Sequence, residues 1–376
     1  MSRTAILGAP ILAGDWLDDH AVLIEGAHIS AIVPASAIPP DFATVRVAGG
    51  MIVPGFIDTQ VNGGGDVLFN DVPTVEGLRE IAAAHRRFGT TGLMPTLISD
   101  DLVVMKQGIA AVEEAIAQGV PGILGIHLEG PFLNPGKHGI HDAGRIRLLD
   151  TESVALLTSL RRGKTLVTLA PERTDAGLIR TLSGAGVIVA AGHSLATYEE
   201  MGLAVAAGLS GVTHLFNAMT QLESRAPGVV GAAFDHPLTS GLIVDGHHVH
   251  PAALRAAYAV CGTERLMLVT DAMPPVGGDL ASFRLGDQDI RVEDGALKAR
   301  DGTLAGSVLD MASAVRNAVT MMGVDWKSAL EMASSTPARF LGLQGHGRIA
   351  PGYRADLVHL DAHGNAAAVW VGGERY

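Results

Sequence analysis

The chain is poor in cysteine, aromatic residues and positive charge, and each shortage removes a class of function. Its 376 residues hold one cysteine, Cys261. A lone thiol makes no intrachain disulfide and excludes a four-thiolate zinc site. It lies in the apolar run AAYAVCG and reads as a small core hydrophobe. Aromatics are 4% of the chain while glycine reaches 47 residues. The 48% hydrophobic fraction is therefore mostly Ala, Val and Leu, which suits closely packed strands and helices. Lys and Arg number 27 against 39 Asp and Glu, a net charge of −12. With no basic stripe, that balance argues against nucleic-acid binding. An acidic chain still holds a phosphate ester if it offers a local cation or backbone amides. No run of about 18 uncharged apolar residues occurs. Asp15, Asp18 and Asp19 interrupt the N-terminus where a signal peptide would stay apolar. The expectation is a cytoplasmic protein with neither a membrane nor a nucleic acid as partner.

What is present is an alternation. Eight apolar runs, each of a length that suits a buried parallel strand, occur at 52–60, 92–98, 123–129, 165–170, 187–192, 211–215, 242–246 and 266–271. Helix-like segments separate most of them. TVEGLREIAAAHRRFG and DLVVMKQGIAAVEEAIAQG open on the capping residues Thr74 and Asp100 and end at Gly. Eight strands alternating with helices predict an α/β fold, a (β/α)₈ TIM-like barrel. Both chain ends read instead as short strands with Gly and Pro punctuation. They predict a small β-sandwich from residues 1–53 and 346–376, flanking a barrel at 54–345. A Gly-rich excursion follows Asp271, with hairpin turns expected at Asp294–Gly295 and Asp301–Gly302.

Barrel enzymes carry their chemistry where strands end. Polar residues at the ends of the predicted strands are His127 and Glu129, His193, His214 and Asn217, and Asp271. Two imidazoles and a carboxylate, from His193, His214 and Glu129, suit a divalent metal and leave a coordination position for water. One strand-end His is commonly structural, but three such groups on three strands are less easily explained that way. Asp271 beside such a site reads as a general base, or else as a turn cap. His127 reads as a core histidine under the site. His138, His247 and His250 lie in polar loops and carry no assignment. Lys137 reads as a loop charge more than as a phosphate contact.

The motifs HLEGPFLNPGKHGIH, AGHSLATYEE, THLFNAM followed by RAPG, DGHHVHP, LVTDAM and LAGS occur in this order. PGFIDTQVNGGGD lies near the first strand. Together they resemble the N-acetylglucosamine-6-phosphate deacetylases of the amidohydrolase superfamily, over roughly residues 50–340. The resemblance implies one divalent metal per subunit, Zn²⁺ or else Fe²⁺, held by Glu129, His193 and His214. It implies Asp271 as general base and then acid, and His141 near the acetyl carbonyl. His248 would contact the sugar, and the amides of Asn217 and Ala218 the phosphate. Arg225 would bind that phosphate from the neighbouring subunit of a homodimer. The implied reaction is deacetylation of N-acetylglucosamine 6-phosphate to glucosamine 6-phosphate and acetate. The galacto epimer or another amide would be alternative substrates. A non-catalytic scaffold barrel would have lost some of Glu129, His193, His214 and Asp271, and all are present. Many superfamily members open on His-x-His, which helps bind a second metal. Here that place is read as Asp58-Thr59-Gln60, and the fourth run, TLVTLAPE, has no internal lysine to bridge two metals. One metal is expected, with Gln60 as an outer contact.

Overall fold

The computed structural model describes residues 2–376. Eight parallel strands form one sheet whose spatial order follows the chain order. They are β1 (Phe56–Val61), β2 (Thr90–Ile98), β3 (Gly125–Glu129), β4 (Lys164–Leu169), β5 (Ile188–Ala191), β6 (Gly211–Val212), β7 (Thr239–Leu242) and β8 (Leu266–Leu268). Helices connect them, giving the (β/α)₈ barrel. Strands buried on both faces need apolar runs without strict alternation, which is why the runs were legible.

The seam between β1 and β8 closes the barrel. A parallel bridge joins Val61 to Ala272. Asp271 N–H donates to the Gln60 carbonyl at 3.0 Å and Asn62 N–H to the Ala272 carbonyl at 2.8 Å. Asp58, fully buried, reinforces it. Its carboxylate accepts the Thr270 N–H at 3.3 Å and the Thr270 hydroxyl at 2.5 Å.

Helix starts follow local chemistry. Helix α1 (Val75–Arg86) is capped by Thr74, whose hydroxyl accepts the Gly77 N–H at 3.1 Å. Helix α2 (Leu102–Ala117) begins one residue later than expected, with Asp101 rather than Asp100 at its cap. Asp100 is engaged elsewhere, by the Asn70 amide at 3.0 Å. Helix α3 (Tyr198–Ala206) carries a full capping box from Thr197 and Glu200.

Two predicted strands start elsewhere by three or more residues, and the sixth and eighth end three residues before their runs do. The first run breaks at Gly55. Met51–Pro54 pairs antiparallel with Leu357–Leu360 in an end sheet, and only Phe56 onward enters the barrel. A side chain at 55 would meet Thr91, since an added Cβ would lie 2.1 Å from its hydroxyl oxygen. The seventh strand begins at Thr239, before the run at 242–246. Its polar Thr239 and Ser240 hid the start, and most of the apolar run is the strand's exit.

The chain ends build a four-stranded and a six-stranded sheet, the latter joining Ile11–Ala13 and Met51–Pro54 to Leu357–Leu360 and Ala366–Val371. Ile6, Ile11, Ile24, Ile52, Leu357 and Trp370 form their shared apolar core. The excursion is a three-stranded antiparallel sheet, Ser282–Leu285, Gln288–Glu293 and Ala296–Lys298. It turns at Asp294–Gly295, where both residues have positive φ (52° and 79°), as a two-residue hairpin loop requires.

Candidate active site

Glu129 ends β3, while His193 and His214 each lie two residues beyond the ends of β5 and β6. Their side chains converge. His193 Nδ1 sits 2.8 Å from the Lys137 carbonyl, which can only accept. That fixes the proton on Nδ1 and leaves Nε2 with a lone pair. This Nε2 faces Glu129 Oε1 at 3.2 Å and His214 Nε2 at 3.1 Å. His214 Nε2 lies 2.8 Å from the same Oε1. The three groups are between 2% and 6% exposed. The lone pairs of His193 Nε2 and Glu129 Oε1, crowded beside His214 Nε2 and shut from water, favour a positive charge between them. A divalent cation would satisfy all three at once. The donor set therefore fits a metal. Burial pushes the Glu129 carboxyl up, but the two imidazoles outweigh it and hold it well below the ordinary range.

Asp271 stands beside this trio, past the end of β8. Its Oδ1 accepts from Gln60 Nε2 at 3.0 Å and from Asn62 Nδ2 at 2.7 Å. Gln60 Nε2 also donates to Glu129 Oε2 at 3.1 Å. Among the described residues, Asp271 Oδ2 has no partner. Burial, with the negative Glu129 nearby, pushes the Asp271 pKa up to about 6.

Two further histidines have defined tautomers or orientations. His141 Nδ1 accepts the Ser99 N–H at 3.2 Å, with the Ser99 hydroxyl at 2.8 Å. Burial and the neighbouring His193 hold its pKa well below the ordinary value. The ring is thus neutral near pH 7 with its proton on Nε2. His248 Nδ1 lies 2.6 Å from Asp245 Oδ2, and Asp245 Oδ1 accepts the N–H groups of His247 and His248.

These groups open onto one cavity of about 550 Å³. Glu129, His141, His193, His214, Asn217, Ala218, His248 and Asp271 all line it. Gln60 lies beneath, only 2% exposed. The Asn217 and Ala218 amides differ. The Asn217 N–H donates to the His214 carbonyl at 3.0 Å, so the turn already uses it. The Ala218 N–H has no acceptor among the described residues. Arg225 is exposed and lies outside the lining. Lys137 is the one Lys or Arg among the lining residues. His127 is fully buried between the hydroxyls of Thr96 and Thr168, at 3.2 and 2.7 Å. His247 and His250 are exposed, while His138 lines the cavity rim. Cys261 is buried.

Several neighbours were not read from the sequence. Asn62 could have been, because residues 60 and 62 share one face of a strand. The pair facing the metal region is Gln60 and Asn62, not Asp58 and Gln60, and Asp58 turns to the barrel seam. Asp245 opens the motif DGHHVHP without a role read for it there, and Ser99 carries no local signal. Neither do Gln288, Asp301, Thr303 and Leu304, which the excursion brings to the cavity wall.

The sequence profile described as "Amidohydrolase family" matches residues 51–375. An N-acetylgalactosamine-6-phosphate deacetylase of Shewanella sp. (strain ANA-3) is 48% identical over 98% of this chain and 94% of its own. An N-acetylglucosamine-6-phosphate deacetylase of Vibrio furnissii is 36% identical over 95% of this chain and 91% of its own. The crystal structure of N-acetylglucosamine-6-phosphate deacetylase from Pasteurella multocida superposes with a TM-score of 0.97 at 34% identity, covering 100% of this chain and 99% of that one.

Proposed function

The chain belongs to the amidohydrolase family, and from that premise we propose that it hydrolyses the acetamide of N-acetylglucosamine 6-phosphate. The products are glucosamine 6-phosphate and acetate. One observation carries the reading: a buried trio of metal-binding acceptors stands beside a carboxylate that keeps one oxygen free.

Glu129, His193 and His214 would hold a divalent metal, which would supply Lewis acidity there when bound. Zn²⁺ is the proposed ion, and Fe²⁺ also accepts this donor set. Asp271 Oδ2 takes a proton from the attacking water as the new C–O bond forms. It then passes a proton to the nitrogen as the C–N bond breaks. His141, with Nδ1 engaged by Ser99, donates from Nε2 to the acetyl oxygen as negative charge grows there. One such donor is typically worth about 3 kcal/mol in the transition state. Asp245 aims His248 at the sugar. Gln60 ties the metal ligand Glu129 to the base Asp271.

The phosphate is proposed to meet the Ala218 N–H and a cation. Arg225 is proposed to come from a partner subunit of a homodimer. Its exposure, and the scarcity of cations in its own cavity, support that reading. Mixing Asp271→Asn subunits with Arg225→Ala subunits tests it. Recovery of part of the parent rate supports donation across the interface, and an inert mixture with exchange demonstrated refutes it. The division into a β-sandwich (1–53 with 346–376) and a barrel (54–345) remains a proposal, supported by the separate apolar core of the end sheets. Among the described residues no helix is long and apolar enough to cross a membrane. A cytoplasmic site of action is proposed on the chemistry of the substrate, since a charged sugar phosphate does not cross a bilayer unaided.

The galacto epimer is a second reading, favoured by the 48% identity to the Shewanella protein. Acetate release from the gluco and galacto 6-phosphates and from unphosphorylated N-acetylglucosamine, with and without a chelator, decides among them. Metal-dependent release confined to the phosphate esters is expected. Equal rates on the unphosphorylated sugar would remove the phosphate site.

A further inference from the structure

Asn62 lies on the first barrel strand's exit, 1% exposed, and lines the same cavity as Asp271. Its Nδ2 donates to Asp271 Oδ1 at 2.7 Å, shorter than the Gln60 bond of 3.0 Å to the same oxygen. A carboxylate only accepts, so the amide orientation follows from its partner. Its own Oδ1 is buried and has no partner. A buried, unsatisfied amide oxygen is destabilising, and the fold does not require it. The Asn62 backbone is already held by its N–H to Ala272 and its carbonyl from Phe69, at 2.8 and 2.9 Å. The side chain therefore serves something other than the barrel seam.

We propose that Asn62 is a positioning residue for the general base: with Gln60 it saturates Asp271 Oδ1, so that proton transfer runs through Oδ2 alone. The two hydrogens of Gln60 Nε2 are committed to Glu129 and Asp271. Gln60 thus cannot hold Asp271 independently of the metal ligand. Asn62 has no such second duty. It locks the rotation of a carboxylate whose backbone already sits in the left-handed region at φ 52°. Both donors to Asp271 Oδ1 are neutral amides. They orient Asp271 without drawing its second oxygen into coordination. This assignment rests on the hydrolytic role proposed above for Asp271.

The test uses the metal-loaded enzyme with Asn62→Asp, which keeps the shape and removes the donor, and Asn62→Ala. Acetate release is read on whichever 6-phosphate ester the parent hydrolyses. The Asp271 carboxyl is titrated by ¹³C NMR in protein labelled at aspartate, which needs no substrate. Loss of a donor to a charged acceptor is expected to lower kcat by about 10- to 100-fold. KM is expected to stay within about threefold, with bound metal and Tm unchanged. The Asp271 titration should move upward by about one pH unit in Asn62→Ala, because the ionised form loses a donor. A kcat within about threefold of the parent in both variants, or an unmoved Asp271 titration, overturns the proposal. So does a fall in rate that follows metal loss. If the parent released acetate from neither ester, the substrate reading would fail, and the titration would still decide the role of Asn62.

Discussion

The barrel mouth and the paired end sheets are built from one chain by opposite rules. The end sheets bury Ile6, Ile11, Ile52, Leu357 and Trp370, with Asp356 and His359 as buried polar residues beside them. The mouth buries Gln60, Asn62, Glu129, His141, His193 and His214 at 6% exposure or less. Eight non-glycine residues have positive φ among those described, and five lie at the mouth: His193, His214, Phe216, Ala218 and Asp271. Left-handed backbone at such residues is unfavourable by about 1–2 kcal/mol each. The mouth thus carries strain and desolvated charge that the rest of the fold must offset. Functional sites commonly concentrate such strain.

The contrast predicts that changes in the two regions separate activity from stability. Asp271→Asn should lower kcat by about 10³-fold or more, within the span attributed to general acid–base groups and their charge. Metal should stay bound and Tm should hold or rise, because a buried carboxylate is removed. A near-parental rate would sink the role of Asp271.

Trp370→Ala should act in the opposite sense. Emptying this buried position is expected to lower stability by about 3–5 kcal/mol, read from denaturant unfolding. Rates per folded, metal-loaded subunit should match the parent. A selective loss of kcat at full folding would mean that the end sheets are coupled to the mouth.

pH sharpens the comparison further. Asp271 must be ionised to act as base. Without metal its pKa is pushed up to about 6, and a bound divalent cation would lower it, so kcat/KM of the metal-loaded enzyme should fall about tenfold per unit only below a pH under 6. Burial also raises Asp58, to about 7 from 3.8. Between those values the folded protein binds a proton that the unfolded chain does not. Stability due to Asp58 is therefore present below about pH 4 and is lost as pH rises through 7. Asp58→Asn should flatten this slope, so the variant gains on the parent from pH 5 to pH 8. Parallel Tm profiles would show that Asp58 is ionised in the fold throughout.

The smallest effect concerns strain alone. Ala218→Gly removes a Cβ at φ 51° and is expected to stabilise by about 1 kcal/mol. A loss of stability there would show that the mouth's left-handed turns are not the burden inferred.

Much of this was legible because it is local. A strand buried on both faces must be apolar along its length, so the eight-strand count followed from runs of Val, Ile and Leu. The Thr74 cap, the Asp294–Gly295 turn and the motifs carrying Glu129, His193, His214 and Asp271 were readable for the same reason, since neighbours in the chain determine them. The limits of the first and seventh strands were not, because Gly55 and Thr239 owe their places to partners far along the chain.

By itself the sequence determined the barrel, the β-rich ends and the kinds of residue at the strand exits. Only the tertiary structure decided which oxygen of Asp271 is free and which nitrogen of His141 keeps its proton. It alone showed that Asn62 faces the base while Asp58 faces the seam. Those properties depend on distances between atoms of residues 42 to 212 positions apart. Hydrogen bonding and desolvation act over a few ångströms in space, and sequence order does not encode that proximity until the barrel closes.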